Sequence, residues 1–169
     1  ALNAMAHALE GLYAKERNPV TTLMAVEGIR VLKAALPIIV QQPDNLQARN
    51  DALYGAWLCG SVLGSVGMAL HHKLCHTLGG SFNLSHAQTH AIMLPHTIAY
   101  NAQAAAHMLA PAAELFAGDL GGGLYDFAQA LQAPQALKEL GLAEADLDKV
   151  ADLAIQNPYW NPRSVERQA

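Results

Sequence analysis

The sequence predicts an all-α, bundle-like domain. Apolar residues recur at helical spacing through nearly every segment, and no stretch alternates apolar and polar residues long enough to make a strand. At 169 residues, 52% of them apolar, the chain can bury one real core.

A first helix is expected over 1–17, where good helix formers dominate, and Asn18-Pro19 ends it. Pro19 opens a second helix through Val26, Ile29, Leu32 and Leu36, kinked at Pro37. Gln41-Gln42-Pro43-Asp44 reads as a linker with Asp44 as N-cap. A third helix covers 46–70, and Gly60, Gly64 and Gly67 leave room on it for another backbone. Helix continues or restarts over 71–78, Gly79-Gly80 stops it, and 81–85 is a loop. Ser85 is the expected cap of a helix over 86–109 with Pro95 inside it. Residues 118–123 form a flexible break, followed by short helices at 125–131 and 136–140. The segment 143–156 has a clean helical pattern in Leu147, Val150, Leu153 and Ala154, with acids at its start. The tail NPYWNPRSVE is rich in turn formers, with a last short helix after it. The chain opens without Met and inside a helix, so Ala1 is expected to be a cut point in a longer polypeptide.

The net charge of −4 carries no basic stripe and no interleaved aromatics, which argues against nucleic acid as a partner. The most apolar run, 53–70, is broken by Gly55, Gly60, Gly64 and Gly67 and reads as a buried helix, not a membrane span. No signal peptide is visible. Cys59 and Cys75 sit in apolar helical contexts, so a disulfide between them is not expected, and a reduced, cytoplasmic setting fits.

Eight histidines are many for this length, and all but His107 cluster in three groups. His72 and His76 lie four apart and share a helix face, as do His86 and His90, with a Gly-Gly turn between the pairs. Asn3 and His7 form a third such pair. Imidazoles at this spacing can place two nitrogens on one metal. His107 reads as a satisfied core residue, His96 as equally core or site, and His71 as spacing or surface because helical neighbours point apart. Cys75 reads as a small apolar packer. For His7, His72, His76 and His86 together the bland reading is weak, since burying several imidazoles without a shared task adds several desolvation penalties.

These motifs resemble the iron-containing alcohol dehydrogenase family. Its Asp-x-x-x-His pair reads here Asn3-Ala4-Met5-Ala6-His7, followed by Ala8-Leu9-Glu10-Gly11. Its His-x-x-x-His helix, glycine turn and third histidine read His72-Lys73-Leu74-Cys75-His76, Leu78-Gly79-Gly80 and His86, and the run from His90 to Leu94-Pro95-His96 is also similar. The ending Asn157-Pro158-Tyr159-Trp160-Asn161-Pro162-Arg163 is similar to the maleylacetate reductase branch of that family. The resemblance implies the C-terminal half of a two-domain dehydroquinate synthase/iron-alcohol-dehydrogenase-like fold, with residues 1–169 as the helical domain and a nucleotide-binding domain that precedes it. It implies an NADH- or NADPH-dependent reductase that takes maleylacetate, a small dicarboxylate, to 3-oxoadipate in the breakdown of aromatic compounds, working as a homodimer. By position, Asn3, His7, His72 and His86 take the places of the four ligands of a divalent metal, iron or zinc. His76 takes the place of the histidine beside the nicotinamide and substrate, and His7, His72, His76 and His86 are the candidate catalytic residues.

The departure is Asn3, where metal-dependent members carry Asp; a neutral amide is a weaker ligand for a divalent ion. The chemistry implied by the resemblance offers a reason. Hydride addition to a double bond conjugated to a ketone leaves a delocalised enolate, which hydrogen-bond donors can hold without a Lewis acid. Histidines protonated near neutral pH would also attract two carboxylates, and His76 is the first choice for delivering a proton to the enolate carbon. The alternatives are a metal-dependent alcohol dehydrogenase of the same family and, from another class, a non-catalytic helical metal-binding or interaction module. No glycine-rich strand-turn-helix fingerprint is present in the chain. The isolated chain is therefore expected neither to turn over nor to bind NADH tightly; a calorimetric titration yielding a micromolar Kd would contradict this.

Overall fold

Helix α1, Leu2–Tyr13, is buried on almost every side, with Met5, Ala6, Leu9 and Tyr13 all at 0% exposure. A helix apolar all round belongs at the centre of a bundle. The computed structural model describes residues 1–156 and 159–167, and these contain helices and no strand. Around α1 are α2 (Pro19–Gln41), α3 (Leu46–Leu63), α4 (Leu70–Phe82), α5 (His86–Asn101), α6 (Ala106–Glu114), α7 (Leu120–Ala130) and α8 (Leu147–Ile155). Single 3₁₀ turns lie at Leu137–Leu140 and Glu144–Asp146. Helices α2, α3, α5 and α6 pack on α1; α4 packs on α5, and α8 on α4. No helix is long and apolar enough to cross a membrane. Both cysteines are free and buried.

The element boundaries depart from expectation where a tertiary contact outweighs propensity. Helix α1 stops at Tyr13 instead of Arg17, and Ala14 turns out of the helix so that the Glu16 carboxylate can accept from Gly67 N–H at 3.1 Å. Asn18 then caps α2 with a reciprocal Thr21 contact, and Pro19 begins the helix. The cap of α3 is Asn45, which accepts from Ala48 N–H at 3.0 Å, not Asp44. The helix expected over 46–70 divides into α3 and the start of α4, because the carboxylate of Glu10 takes the N–H groups of Ala69 and His71 and starts a new helix there. Gly79-Gly80 does not stop α4, which ends at Asn83 in a left-handed conformation, φ 53°. Ser85 stands at the N-cap of α5 without a side-chain capping bond. Helix α5 stops at Asn101, whose buried amide is tied to Tyr13 and Asn161, and α6 follows as a separate helix. No helix follows α8 among the described residues.

Glycines mark the closest backbone approaches, at positions other than those expected. A Cβ on Gly28 of α2 would meet Cys59 Sγ at 2.7 Å and the Gly55 carbonyl oxygen at 3.2 Å, whereas one on Gly60 would meet nothing within 4 Å. The 118–123 segment is no break: Asp119 accepts from Gly122 N–H and caps α7, which brings Gly121 so close to Ala99 of α5 that a Cβ on Gly121 would meet the Ala99 Cβ at 2.9 Å. Gly28→Ala is expected to lower unfolding free energy by about 1–2 kcal/mol, overpacking outweighing its gain in helix propensity. Gly80→Ala, in α4 with nothing within 4 Å of the new methyl, is expected to raise it by about 0.5–1 kcal/mol. Urea denaturation of both variants tests the contrast.

Candidate active site

The first turn of α4 begins at Ala69, which has no side chain able to cap it. Glu10, on α1 and at 0% exposure, performs the capping from across the core. Its carboxylate accepts from His71 N–H at 2.7 Å and Ala69 N–H at 3.0 Å. It also accepts from His72 Nδ1–H at 2.7 Å, with the Tyr13 hydroxyl at 3.4 Å. A negative charge is favoured at a helix N-terminus. Burial pushes the Glu10 carboxyl up, but the hydrogen bond from His72, the charges of His71 and His72 and the Ala69 N–H prevail and hold it below its ordinary value. A carboxylate only accepts, so His72 Nδ1 carries the proton and Nε2 faces the site, buried and without a partner.

The other rings gather around His72. His7, half-buried on α1, lies 4.9 Å from it between ring centroids, and His76, one turn along α4 and exposed, lies at 6.1 Å. His90 of α5 stands at 5.2 Å from His72 and 4.1 Å from His86, linking the two sides of the cluster. His86, exposed at the start of α5, reaches back to α1, where Asn3 Nδ2 lies 3.4 Å from its Nε2. His7, His72, His76 and His86 therefore share one wall. His71 is not the spacer or surface residue expected. It is fully buried and its Nε2–H donates to the His90 carbonyl at 3.0 Å, because α5 packs against α4 while Glu10 of α1 holds the His71 N–H from the other side. His96 and His107 are both exposed, so His107 is not a core residue.

Electrostatically the wall is neutral where its pKa values are displaced. Burial, then repulsion from His72, lowers His7 to about 4; burial lowers His71 to about 4, drives His90 further down, and sets His76 below its ordinary value. The expectation of protonated histidines near neutral pH fails at His7 for this reason: crowded, desolvated imidazoles disfavour charge. Cys75, whose Sγ lies 3.7 Å from His71 Nε2, has its thiol pushed up by burial and packs as a small apolar residue. Among the described residues, ring nitrogens or other donors close within 4.8 Å of one another in two groups, His71–Cys75–His90 and Glu10–His71–His72; His7, His72 and His86 do not form such a group.

The family model for the C-terminal part of the Fe-containing alcohol dehydrogenase family matches residues 1–169. The chain belongs to the iron-containing alcohol dehydrogenase family. Within that family it is 60% identical over 168 residues to the maleylacetate reductase of a Rhizobium species, covering 99% of this chain and 48% of that protein. It is 54% identical to the maleylacetate reductase of Pseudomonas knackmussii, across 100% and 48% of the two. A crystal structure of maleylacetate reductase from Agrobacterium tumefaciens superposes with a TM-score of 0.97 at 60% identity, covering 99% of this chain and 48% of that one. The chain thus spans about half the length of the relatives it matches. In the ending similar to the reductase branch, Asn157 and Pro158 lie outside the described residues. Trp160 packs on Tyr13, Asn161 exchanges amide hydrogen bonds with Asn101, and Arg163 covers the Tyr100 ring. This family member's site also contains Glu10, His71 and His90, which sequence reasoning did not select. The i, i+4 link from His86 marked His90, but a lone Glu in an apolar helix was the only signal for Glu10.

Removing Glu10 leaves two N–H groups and an imidazole without an acceptor, so Glu10→Ala is expected to cost about 3–5 kcal/mol of stability. The pH dependence has a definite sign. His7 and His71 titrate near 6.5 when unfolded and near 4 in the fold, so between those values the unfolded chain binds more protons. Stability is therefore complete above pH 6.5 and falls as pH drops toward 4, with protonation of Glu10 extending the loss to lower pH. Thermal melts at a series of pH values should show Tm declining through that window; a flat profile would contradict it.

Proposed function

We propose that the full-length protein is an NAD(P)H-dependent reductase converting maleylacetate to 3-oxoadipate, and that this chain supplies the histidine wall of its active site without a bound metal. The observation that carries the reading is the Asn3–His86 contact. At the two positions where metal-dependent relatives are implied to bind through Asp and His, an amide here turns its N–H toward the imidazole at 3.4 Å. Two further features of the donor set support it. The implied ligands Asn3, His7, His72 and His86 include no carboxylate, and the nitrogens of the three histidines are not drawn into one group within 4.8 Å. The 60% identity to a maleylacetate reductase supports the substrate class.

The nicotinamide cofactor, NADH or NADPH, supplies the hydride when bound. The described residues form no strand-glycine-helix cradle for it, so this chain presents only the face that carries His76. Hydride arriving at the carbon far from the ketone places the new charge on an enolate oxygen. The His7 and His72 rings line the wall where that charge forms. Glu10 stands behind His72 and holds the ring by Nδ1, which leaves Nε2 turned away from the carboxylate and free of a protein partner. His76, exposed one turn further along α4, is placed to hold the proton that the enolate carbon takes up.

The test is an assay of the full-length protein with maleylacetate and each reduced cofactor, with and without chelator. Turnover is expected to persist in chelator, and His76→Ala is expected to lower kcat by about 10²–10⁴-fold. Loss of activity in chelator and recovery on adding iron or zinc would instead establish the metal-dependent alcohol dehydrogenase reading. Unchanged turnover in His76→Ala would remove His76 from the mechanism.

A further inference from the structure

Asn161 of the tail and Asn101 of α5 exchange amide hydrogen bonds at 2.7 Å and 3.0 Å. Asn101 is at 0% exposure, and its second Nδ2–H donates to the Tyr13 hydroxyl at 3.3 Å. That hydroxyl belongs to an equally buried side chain, and its remaining partner is the Glu10 carboxylate, toward which its proton must point. Glu10 in turn accepts from His72 Nδ1–H at 2.7 Å. From the tail to the carboxylate the bonds run in one direction. Asn161 donates to Asn101, Asn101 to Tyr13 and Tyr13 to Glu10, so each dipole is aligned with the next.

The Tyr13–Glu10 link, at 3.4 Å, is the longest in the line, yet it differs in kind from the carboxylate's other contacts. The N–H groups of Ala69 and His71 and the Nδ1–H of His72 all come from the start of α4. Tyr13 lies on α1, one turn beyond Glu10, and ties the carboxylate to its own helix, which fixes the direction from which His72 is held. The tail end of the line is anchored in turn. Trp160 packs on the Tyr13 ring, Arg163 covers the Tyr100 ring, and the Tyr100 hydroxyl donates to the Ser164 carbonyl. Glu10, Tyr13 and Asn101 are sealed within this chain's own helices, so no further domain is needed to complete the line. Packing alone does not call for it: apolar side chains at 13 and 101 would leave no buried polar group to satisfy. We infer that Tyr13, Asn101 and Asn161 are positioning residues through which the tail sets how Glu10 holds His72, a role that rests on His72 serving the reduction proposed above.

Tyr13→Phe and Asn161→Ala in the full-length protein, alone and together, test this. Tyr13→Phe is expected to lower kcat for maleylacetate by about 10-fold with KM unchanged, and Asn161→Ala to lower it less. The double variant is expected to lose no more than Tyr13→Phe alone, because both changes break one line. Proton NMR of the same proteins reads the His72 Nδ1–H, a low-field signal assigned by its loss in His72→Gln. That signal is expected to shift in Asn161→Ala, although Asn161 bonds to neither Glu10 nor His72, and to shift in the same direction in Tyr13→Phe. A parent protein that does not reduce maleylacetate would sink the reductase reading, and the NMR signal would still decide the positioning. If Tyr13→Phe fails to fold, Asn161→Ala decides by that signal. An unmoved His72 signal in the folded variants, parental kcat in folded Tyr13→Phe, or additive losses in the double variant would overturn the inference.

Discussion

A carboxylate at 0% exposure in the middle of an apolar helix must find donors, and Glu10 finds three of them in the first turn of α4. That one group settles several features at once. It ends the run of helix that continues α3, gives α4 an N-terminal acceptor that Ala69 lacks, and fixes the tautomer of His72. Without it, α4 would have no reason to begin where it does, and His72 Nε2 would have no reason to face the cluster. The arrangement is that of a carboxylate that fixes the orientation of the imidazole in front of it.

The convergence of histidines from three helices then follows from how closely those helices approach α1. The Gly28–Gly55 contact lets α2 and α3 close on one another, and Gly121 lets α7 sit against Ala99 of α5. The histidines themselves meet because α5 packs on both α1 and α4 and Glu10 of α1 holds the start of α4, so Asn3 and His7 of α1 face His86 and His90 of α5 and His72 of α4. The cluster is a consequence of core packing, which is why its inner rings, His71 and His90, are as buried as the aliphatic residues beside them.

Much of this was legible in the sequence, and the failures have physical causes. Helical periodicity gave the all-α class, and i, i+4 spacing brought His72 with His76 and His86 with His90, because both depend only on local helix geometry. Helix ends were misjudged at Tyr13, Leu63 and Asn101, where Glu16, Glu10 and Asn161 make contacts with residues 51 to 62 positions away or across the tail. No local pattern encodes such partners. Gly79-Gly80 and the 118–123 run read as breaks because glycine is a poor helix former, yet α4 continues through the first, and at Gly121–Gly123 the Asp119 cap and close packing outweigh about 1 kcal/mol per residue. His71 was misplaced by the same kind of local rule. Neighbours on a helix do point apart, but a helix end enclosed by two others has no outward side.

The charge of the wall connects Asn3 to Glu10. An imidazole cluster with two buried carboxylates, one behind His72 and one at position 3, would need a cation to balance it, and a divalent ion would serve. With an amide at position 3, Glu10 is left as the buried acid, and the N–H groups of Ala69 and His71 with His72 Nδ1 satisfy its oxygens. The neighbouring His7 and His71, lowered to about 4 by burial, stay neutral around it. An amide at position 3 of α1 thus leaves one negative charge fewer on the wall, while Glu10, two turns along the same helix, keeps the other fixed at the N-terminus of α4.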